Sequence, residues 1–271
     1  MKRLSSAAAA LLLVLAAVSL GAQGREGSLT PPPGTEEETA RLVFEYTNLE
    51  RTRRGLAAFL PHPGLDRLSV YHGENMRDYN FFSHTDHTGR DPEGRRRLLL
   101  PGLLGGLGEN IAFHFGATPE EAARNLVEGW MNSPPHRKNI LAGGFTYMGT
   151  GIVYGEQIHG VQVFGDLTAE VREAPAGPVP EGISGVTLSL DYLGLRPRSD
   201  FTVFIKVPDP RARFYVSDNR YYTGMGPLTP EWQEGRRFTL TFDADKGRGT
   251  YEILFGYRGS FYPGGVSVMV E

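Results

Sequence analysis

A polar run that closes a helical segment constrains this fold more than any other feature of the chain. It reads Trp-Met-Asn-Ser-Pro-Pro-His-Arg over residues 130–137, and its paired prolines are typical of the point where a helix ends. Three further polar islands interrupt apolar sequence: Phe-Ser-His-Thr at 82–85, Gly-Glu-Asn-Ile-Ala at 108–112 and His-Gly-Val-Gln-Val at 159–163. Three of the four segments carry a histidine and one carries a glutamate. Nothing local explains this placement, so we predict that the segments assemble into one site.

The spacing of apolar residues predicts three helices and then two strands within the first 170 residues. Thr118, Pro119 and Glu121 form a capping box that starts a helix running to about Asn132. The spacing of apolar residues also predicts two earlier helices, from Glu36 to about Gly55 and from Leu65 to Tyr79. Before the capped helix, Pro101 to Gly108 is expected to be a glycine-rich loop. After that helix, two strands are predicted at Met148–Tyr154 and Ile158–Phe164.

A change of pattern after residue 170 indicates a second domain. Residues 171–182 are predicted to be a linker, because prolines and glycines there interrupt all periodicity. Beyond it, apolar and polar residues alternate in five or six short runs, the first at Val186–Tyr192. This alternation is typical of a β-sandwich, which we predict for residues 183–271.

The first residues have the composition of an export signal. Lys2 and Arg3 precede an apolar run from Ala7 to Leu20 that is short for a membrane span. We predict a signal peptide at 1–24 and a proline-rich spacer at 25–35, which would leave the mature chain without a transmembrane anchor. Its location would then be periplasmic or extracellular. Because the chain has no cysteine, lipid attachment through a lipobox is excluded.

The charge balance argues against nucleic acid as a partner. The formal net charge is −3, and sequence-independent binding of nucleic acid needs an excess of cations that neutralise phosphates. The run Arg95-Arg96-Arg97 is expected to be a solvated surface.

The four polar islands, together with residues 48–51 and 149–152, resemble the motifs of the CAP superfamily of cysteine-rich secretory, antigen 5 and pathogenesis-related proteins, in its bacterial SCP-domain branch. The resemblance covers about half the chain. It implies an α+β fold, a three-layer α-β-α sandwich, for residues 36–170, ahead of the all-β sandwich. It also implies a central cleft with two histidines and two glutamates, which in some members hold a divalent metal.

Carried over residue by residue, the resemblance assigns three members of that tetrad. His84 and Glu109 match the first histidine and the first glutamate, and His159 falls where the second histidine belongs. The second glutamate is missing, because Ser133 stands at its position. Ser133 and His136 are therefore further candidates for the lining of the cleft.

Three kinds of chemistry remain open for His84, Glu109 and His159. Two imidazoles and a carboxylate form a common Zn²⁺ site with one position open to water, so Zn²⁺ or another divalent cation is a possible cofactor. Without a metal, Glu109 could orient a histidine as a general base. The set could also be a buried structural network.

The functional prediction is an exported protein that binds a small ligand, lipid or peptide in a cleft lined by histidine and glutamate. Loss of the second glutamate to Ser133 favours binding over catalysis. The alternative is a metal-dependent, peptidase-like hydrolase that uses the same residues. The C-terminal domain would contact cell-envelope material.

Overall fold

The structure, a computed structural model, describes Pro32 and residues 34–115 and 118–271. The predicted signal peptide and most of the spacer lie outside these residues. In chain order the first part contains α1 (Thr35–Thr52), β1 (Leu60–Pro61), α2 (Pro63–Asp78), α3 (Pro92–Leu99), β2 (Leu103–His114), α4 (Pro119–Asn132), α5 (Pro134–Ile140), β3 (Tyr147–Val153) and β4 (Ile158–Glu173). The second part contains β5 (Val186–Tyr192), β6 (Phe201–Lys206), β7 (Arg213–Ser217), β8 (Arg220–Thr223), β9 (Met225–Pro227), β10 (Glu231–Trp232), β11 (Arg237–Phe242), β12 (Gly249–Tyr257), β13 (Ser260–Phe261) and β14 (Val266–Val270).

The long strand β4 organises the first part. It pairs antiparallel with β2 on one side and with β3 on the other, and β1 adds to β3 in parallel. The C-terminal end of β4 pairs with β5, and β11 and β10 extend the same sheet. The sheet is therefore continuous across the predicted domain boundary.

Helices cover both faces of this sheet because alternate side chains of β4 point in opposite directions. Even-numbered residues such as Phe164 pack with α1 and α4, including Trp130. Odd-numbered residues such as Val161 and Val163 pack with α2, whose Leu65 lies in the same cluster. Glu109 belongs to this second face, since it pairs with Val163 in the register of β2 and β4.

Two glycines of β3 let α2 lie directly on the strand backbone. A Cβ atom built on Gly149 would lie 2.1 Å from the carbonyl carbon of Leu65, and one on Gly151 would lie 2.3 Å from that of Ser69. No side chain fits into such a contact, which explains the Gly-Thr-Gly motif. The position of α2, and of the loop that follows it, therefore depends on these two residues.

The second part is rich in β-structure. A five-stranded sheet has the order β13-β12-β6-β9 with β14 paired to β12, and it packs against β5 and β11 through residues such as Leu240, Ile253 and Phe255. Leu104 and Ala169 of the first part belong to the same core cluster. The two parts thus share buried apolar surface.

The structure confirms the predicted capping box and corrects one expected loop. The Thr118 hydroxyl accepts the Glu121 N–H, and the Glu121 carboxylate accepts the Thr118 N–H. Residues 101–108 are mostly strand, because β2 begins at Leu103. Gly105 allows this with a positive φ of 142° at a break in register, where a Cβ atom would meet the Asp166 carbonyl oxygen. Among the described helices, none is long and apolar enough to cross a membrane.

Candidate functional site

The site is built around Glu109, a buried carboxylate on the α2 side of β2. Its Oε1 accepts a hydrogen bond from His84 Nδ1 at 2.8 Å, and its Oε2 accepts one from the Arg95 guanidinium. The side chains of Glu109 and Arg95 are only 2% and 1% exposed. A buried carboxylate needs such a pairing, because desolvation of an isolated charge is costly.

Arg95 is held in place by α3 and by the loop before it. Asp91 caps α3 by accepting the Gly94 N–H, and the Arg95 guanidinium also donates to the carbonyls of His84 at 2.8 Å and Arg90 at 3.0 Å. One side chain therefore fixes both the carboxylate and the backbone of the histidine that binds it.

The prediction that the arginine run is a solvated surface is wrong for two of its three residues. Arg95 and Arg96 are buried, and Arg96 donates to Glu93 and to the Leu103 carbonyl. Arg97 alone matches the prediction, with a side chain that is 59% exposed. The three arginines differ in exposure because they are consecutive on α3, whose turn directs Arg95 and Arg96 inwards and Arg97 outwards.

His84 presents its ring to solvent from a structured loop. The imidazole is 52% exposed although its Nδ1 is bound to Glu109, and no described residue hydrogen-bonds to its Nε2. The Asp86 carboxylate organises the loop by accepting the N–H groups of Thr88 and Arg90, both at 2.9 Å. His84 is therefore held before any ligand arrives, with one ring nitrogen available.

His72 is a member of the site that sequence reasoning missed. It lies on α2, fully buried, with Nε2 bonded to the Ser83 carbonyl at 2.8 Å and 3.9 Å from Glu109 Oε1. Burial lowers the pKa of His72, and the nearby Glu109 partly opposes that shift. The sequence does contain one indication that His72 is buried. It lies four residues from both Leu68 and Met76, on the apolar stripe of α2.

His136 lies on α5. Asn110 Nδ2 donates to its carbonyl at 3.2 Å, and Asn139 Nδ2 donates to Asn110 Oδ1 at 3.0 Å. Partial burial lowers the pKa of His136, and the charge of His84 lowers it further. The two rings are therefore close enough for the charge of His84 to act on His136.

A buried network continues from Asn110 to α1. Gln162 Oε1 accepts from Asn110 Nδ2 at 3.1 Å, and Gln162 Nε2 donates to Thr47 Oγ1 at 2.7 Å. The Thr47 hydroxyl in turn donates to the Val43 carbonyl. These bonds tie β2, β4, α5 and α1 together beneath the site. Such a satisfied network stiffens its surroundings.

Ser133 is the junction between α4 and α5 rather than part of that network. Its backbone N–H donates to the Trp130 carbonyl at 3.2 Å, and its own carbonyl accepts the Arg137 N–H at 2.9 Å. Its hydroxyl makes no helix-capping bond to α5. The residue that replaces the expected second glutamate thus has a backbone role in the part of the chain that the structure describes.

The structure separates His159 from Glu109 along the sheet, and the predicted three-residue set is not assembled among the described residues. His159 pairs with Phe113, whereas Glu109 pairs with Val163 four residues further along β4. At 3.3 Å per residue the separation is about 13 Å. Burial and the charge of Arg77 lower the pKa of His159, which lines a cavity of about 540 Å³ beside Met76.

The predicted Zn²⁺ ligand set does not fit this arrangement. Both oxygens of Glu109 are already bound, to His84 and Arg95. Within residues 34–115 and 118–271, no group of three His, Cys, Asp or Glu side chains is placed to hold a metal ion. Glu109 instead orients His84.

The buried histidines predict that acid destabilises this fold. The pKa values of His72, His136 and His159 are lowered by burial, so the unfolded chain binds protons more readily than the folded one. Stability is then complete above the unfolded histidine pKa of about 6.5 and falls as the pH drops towards the folded values. We expect the urea midpoint to be lower at pH 5.5 than at pH 7.5, and His72→Gln to reduce that difference. An unchanged midpoint would contradict these protonation states.

Comparison with known proteins places this architecture in a family. Residues 44–164 match the family model described as CAP, cysteine-rich secretory protein family. The uncharacterized protein YkwD of Bacillus subtilis is 33% identical over 141 residues, which are 52% of this chain and 52% of YkwD. The uncharacterized membrane protein YlbC of the same organism is 29% identical over 136 residues, or 46% of this chain and 37% of YlbC.

The match thus spans about half the length of YkwD and just over a third of YlbC. An extracellular SCP-domain protein of Bacillus anthracis, known from a crystal structure, is 29% identical, with 48% of this chain and 41% of that chain covered and a TM-score of 0.42. On the grounds of the match to the family model and the motifs within it, residues 44–164 of this chain belong to the CAP family.

Proposed function

We propose that the CAP domain binds a small ligand at His84, through the ring nitrogen that Glu109 leaves available. One observation carries the proposal: an imidazole that is 52% exposed is anchored to a carboxylate that is 2% exposed. A purely structural histidine in this position would bury its ring. Here the carboxylate, its arginine and the loop backbone all fix the ring while half of it faces solvent, which lowers the cost of ordering it on binding.

Exposed aromatic rings beside His84 indicate an apolar portion of the ligand. Phe82 and Phe113 are 45% and 46% exposed, and their ring centroids lie 5.1 Å apart in an edge-to-face arrangement. Phe113 shares a face of β2 with Glu109. Exposed phenylalanines next to an oriented polar group are typical of a binding surface.

The hydrogen bond to Glu109 selects the polar part of the ligand. In the tautomer whose Nδ1–H donates to Glu109, the His84 ring offers Nε2 as an acceptor. The complementary ligand therefore carries a hydroxyl or N–H donor next to an apolar face. Hydroxylated lipids, sugars and peptides have this combination, and all occur in cell envelopes.

We expect His84→Ala to weaken binding of such a ligand by at least about tenfold, or 1.4 kcal/mol. The measurement is ¹⁵N NMR titration of the chain with three probes: monolaurin, N-acetylglucosamine and the dipeptide Ala-Phe. His87→Ala is the matched control, because His87 lies in the same loop and bonds Asn75 rather than Glu109. If no probe shifts the His84 and Phe82 resonances, or if both variants bind like the wild type, the site is not a ligand site.

Hydrolysis is the second candidate, supported by the 2.8 Å bond between His84 Nδ1 and Glu109. A carboxylate that holds an imidazole in one tautomer is the arrangement of a general base. Cleavage of the dipeptide probe by the wild type, and not by His84→Ala, would favour this candidate over binding alone.

We further propose the architecture and location that the sequence predicts. The apolar clusters on opposite faces of the first sheet support the α-β-α sandwich over residues 36–170, and the shared core of β5, β6, β11 and β12 supports a β-sandwich over 183–271. The composition of residues 1–24 supports export, and contact of the second domain with cell-envelope material would follow from that location.

A further inference from the structure

A groove remote from His84 lies at the outer edge of β3, between the two helical layers. Its volume is about 490 Å³, within the usual range of ligand sites. One face of α1, from Glu36 to Glu45, forms one wall, and Asp66 and Val70 of α2 form the other. Thr150 and Ile152 of β3 line it from the sheet.

Most of the edge of β3 has no strand partner within this groove. β1 pairs only with Tyr147 and Met148. Beyond them, the N–H groups of Thr150 and Tyr154 point away from β4, because they donate to Asp66 Oδ1 at 2.9 Å and Glu36 Oε1 at 2.7 Å. Strand alternation places the Ile152 N–H on the same side.

In the described part of the chain, no hydrogen bond to a loop or side chain satisfies the Ile152 N–H. Asp66 and Glu36 thus cap the two ends of an edge whose middle is unpaired. Unpaired edges of this kind accept an added strand.

Thr150 provides an independent indication of a missing partner. The residue is 5% exposed, and its hydroxyl has no hydrogen-bond partner among the residues that the structure places. A buried hydroxyl without a partner is unfavourable. A ligand group in the groove would satisfy it.

The charge of the groove selects the partner. Its lining contains four carboxylates, of Glu36, Glu37, Glu45 and Asp66, and one cation, Arg41. Arg41 is already paired with Glu38 and Glu45. The remaining negative potential favours a basic ligand.

We propose that this groove binds a short extended peptide with basic side chains, which adds to β3 as an edge strand. The peptide continues the line that β1 begins and contacts the Ile152 backbone. The edge between Thr150 and Tyr154 is about 13 Å long, enough for three or four residues. Ala40, Phe44 and Val70 provide apolar contacts, and the α1 carboxylates contact the basic side chains.

The probe for this site is the peptide acetyl-Val-Lys-Val-Lys-amide, titrated into the full chain by calorimetry. We expect saturable binding and slower hydrogen exchange of the Ile152 amide by NMR. Because main-chain bonds carry the interaction, the backbone N-methylated peptide should lose binding. Because charge selects the ligand, acetyl-Val-Glu-Val-Glu-amide should not bind.

Two variants with the same charge change locate the site. Glu37→Lys in the groove should weaken binding of the lysine peptide by about tenfold. Glu74→Lys, on an exposed position of α2 outside the groove, should leave it unchanged. The proposal is overturned if the lysine peptide fails to bind, if the N-methylated peptide binds equally well, or if the Ile152 amide exchanges at the same rate with and without peptide.

Discussion

Arg95→Ala is expected to lower the free energy of unfolding by about 3–5 kcal/mol, the usual cost of removing one partner of a buried ion pair. The variant leaves the Glu109 carboxylate, 2% exposed, without its cationic partner. It also removes the donor to the carbonyls of His84 and Arg90, so the loop that carries His84 loses its support. Urea unfolding of wild type and variant at pH 7.5 measures the difference.

The neighbouring Arg97→Ala is the matched control for that experiment. Its side chain is 59% exposed and its nearest carboxylate oxygen is 4.0 Å away, so the change should stay within about 0.5 kcal/mol. Equal effects of the two variants would show that Glu109 does not depend on Arg95. The double variant Arg95→Met, Glu109→Leu should recover the part of the lost stability that comes from the unpaired Glu109 charge, because it removes both charges from the interior, while the bonds to the carbonyls of His84 and Arg90 stay lost.

The sequence predicts correctly those features of the fold whose interacting residues lie close together along the chain. The capping box at Thr118 and Glu121 fixes the start of α4, because both partners lie within one helical turn. His84 and Glu109 are a different case, because they lie 25 residues apart and yet 2.8 Å from each other. The resemblance to the family groups these two residues, which their local sequence does not do.

Register and burial are properties that the sequence does not display. His159 belongs to a motif of the family, but its distance from Glu109 depends on which residues of β2 and β4 face each other. Arginine is a residue type that usually lies at the surface. Arg95 is buried here because Glu109, on a different element of the fold, forms an ion pair with it. The glycines of residues 102–108 are typical of a loop in the sequence. In the structure one of them, Gly105, is required in a strand because the Asp166 backbone approaches it closely.

The site therefore depends on how α2 sits on the sheet as much as on its own residues. His72 is part of α2, and the loop with His84 begins where α2 ends. The helix in turn rests on the backbone of β3 at Gly149 and Gly151. A change at these glycines should reach the site although neither of them touches it.

Gly149→Ala is expected to destabilise the fold by about 3 kcal/mol or more, at the upper end of the cost of overpacking. The added methyl group would lie 2.1 Å from the Leu65 carbonyl carbon and 2.2 Å from the Asp66 nitrogen, which are backbone atoms that cannot rotate away. Either α2 moves off β3 or the chain unfolds more readily. A folded remnant should also show altered His84 resonances by NMR, because the helix carries the loop with it.

Gly129→Ala separates this steric effect from the general effect of replacing glycine. Gly129 is exposed in the interior of α4, and a Cβ atom there meets nothing within 4 Å. Alanine should therefore raise the free energy of unfolding by about 0.5–1 kcal/mol, since it reduces the freedom of the unfolded chain and favours helix. Opposite signs for the two variants in the same urea experiment would establish that α2 is seated by the glycines of β3. A Gly149→Ala variant as stable as the wild type would show instead that the helix can shift without cost, and that the position of His84 does not depend on this contact.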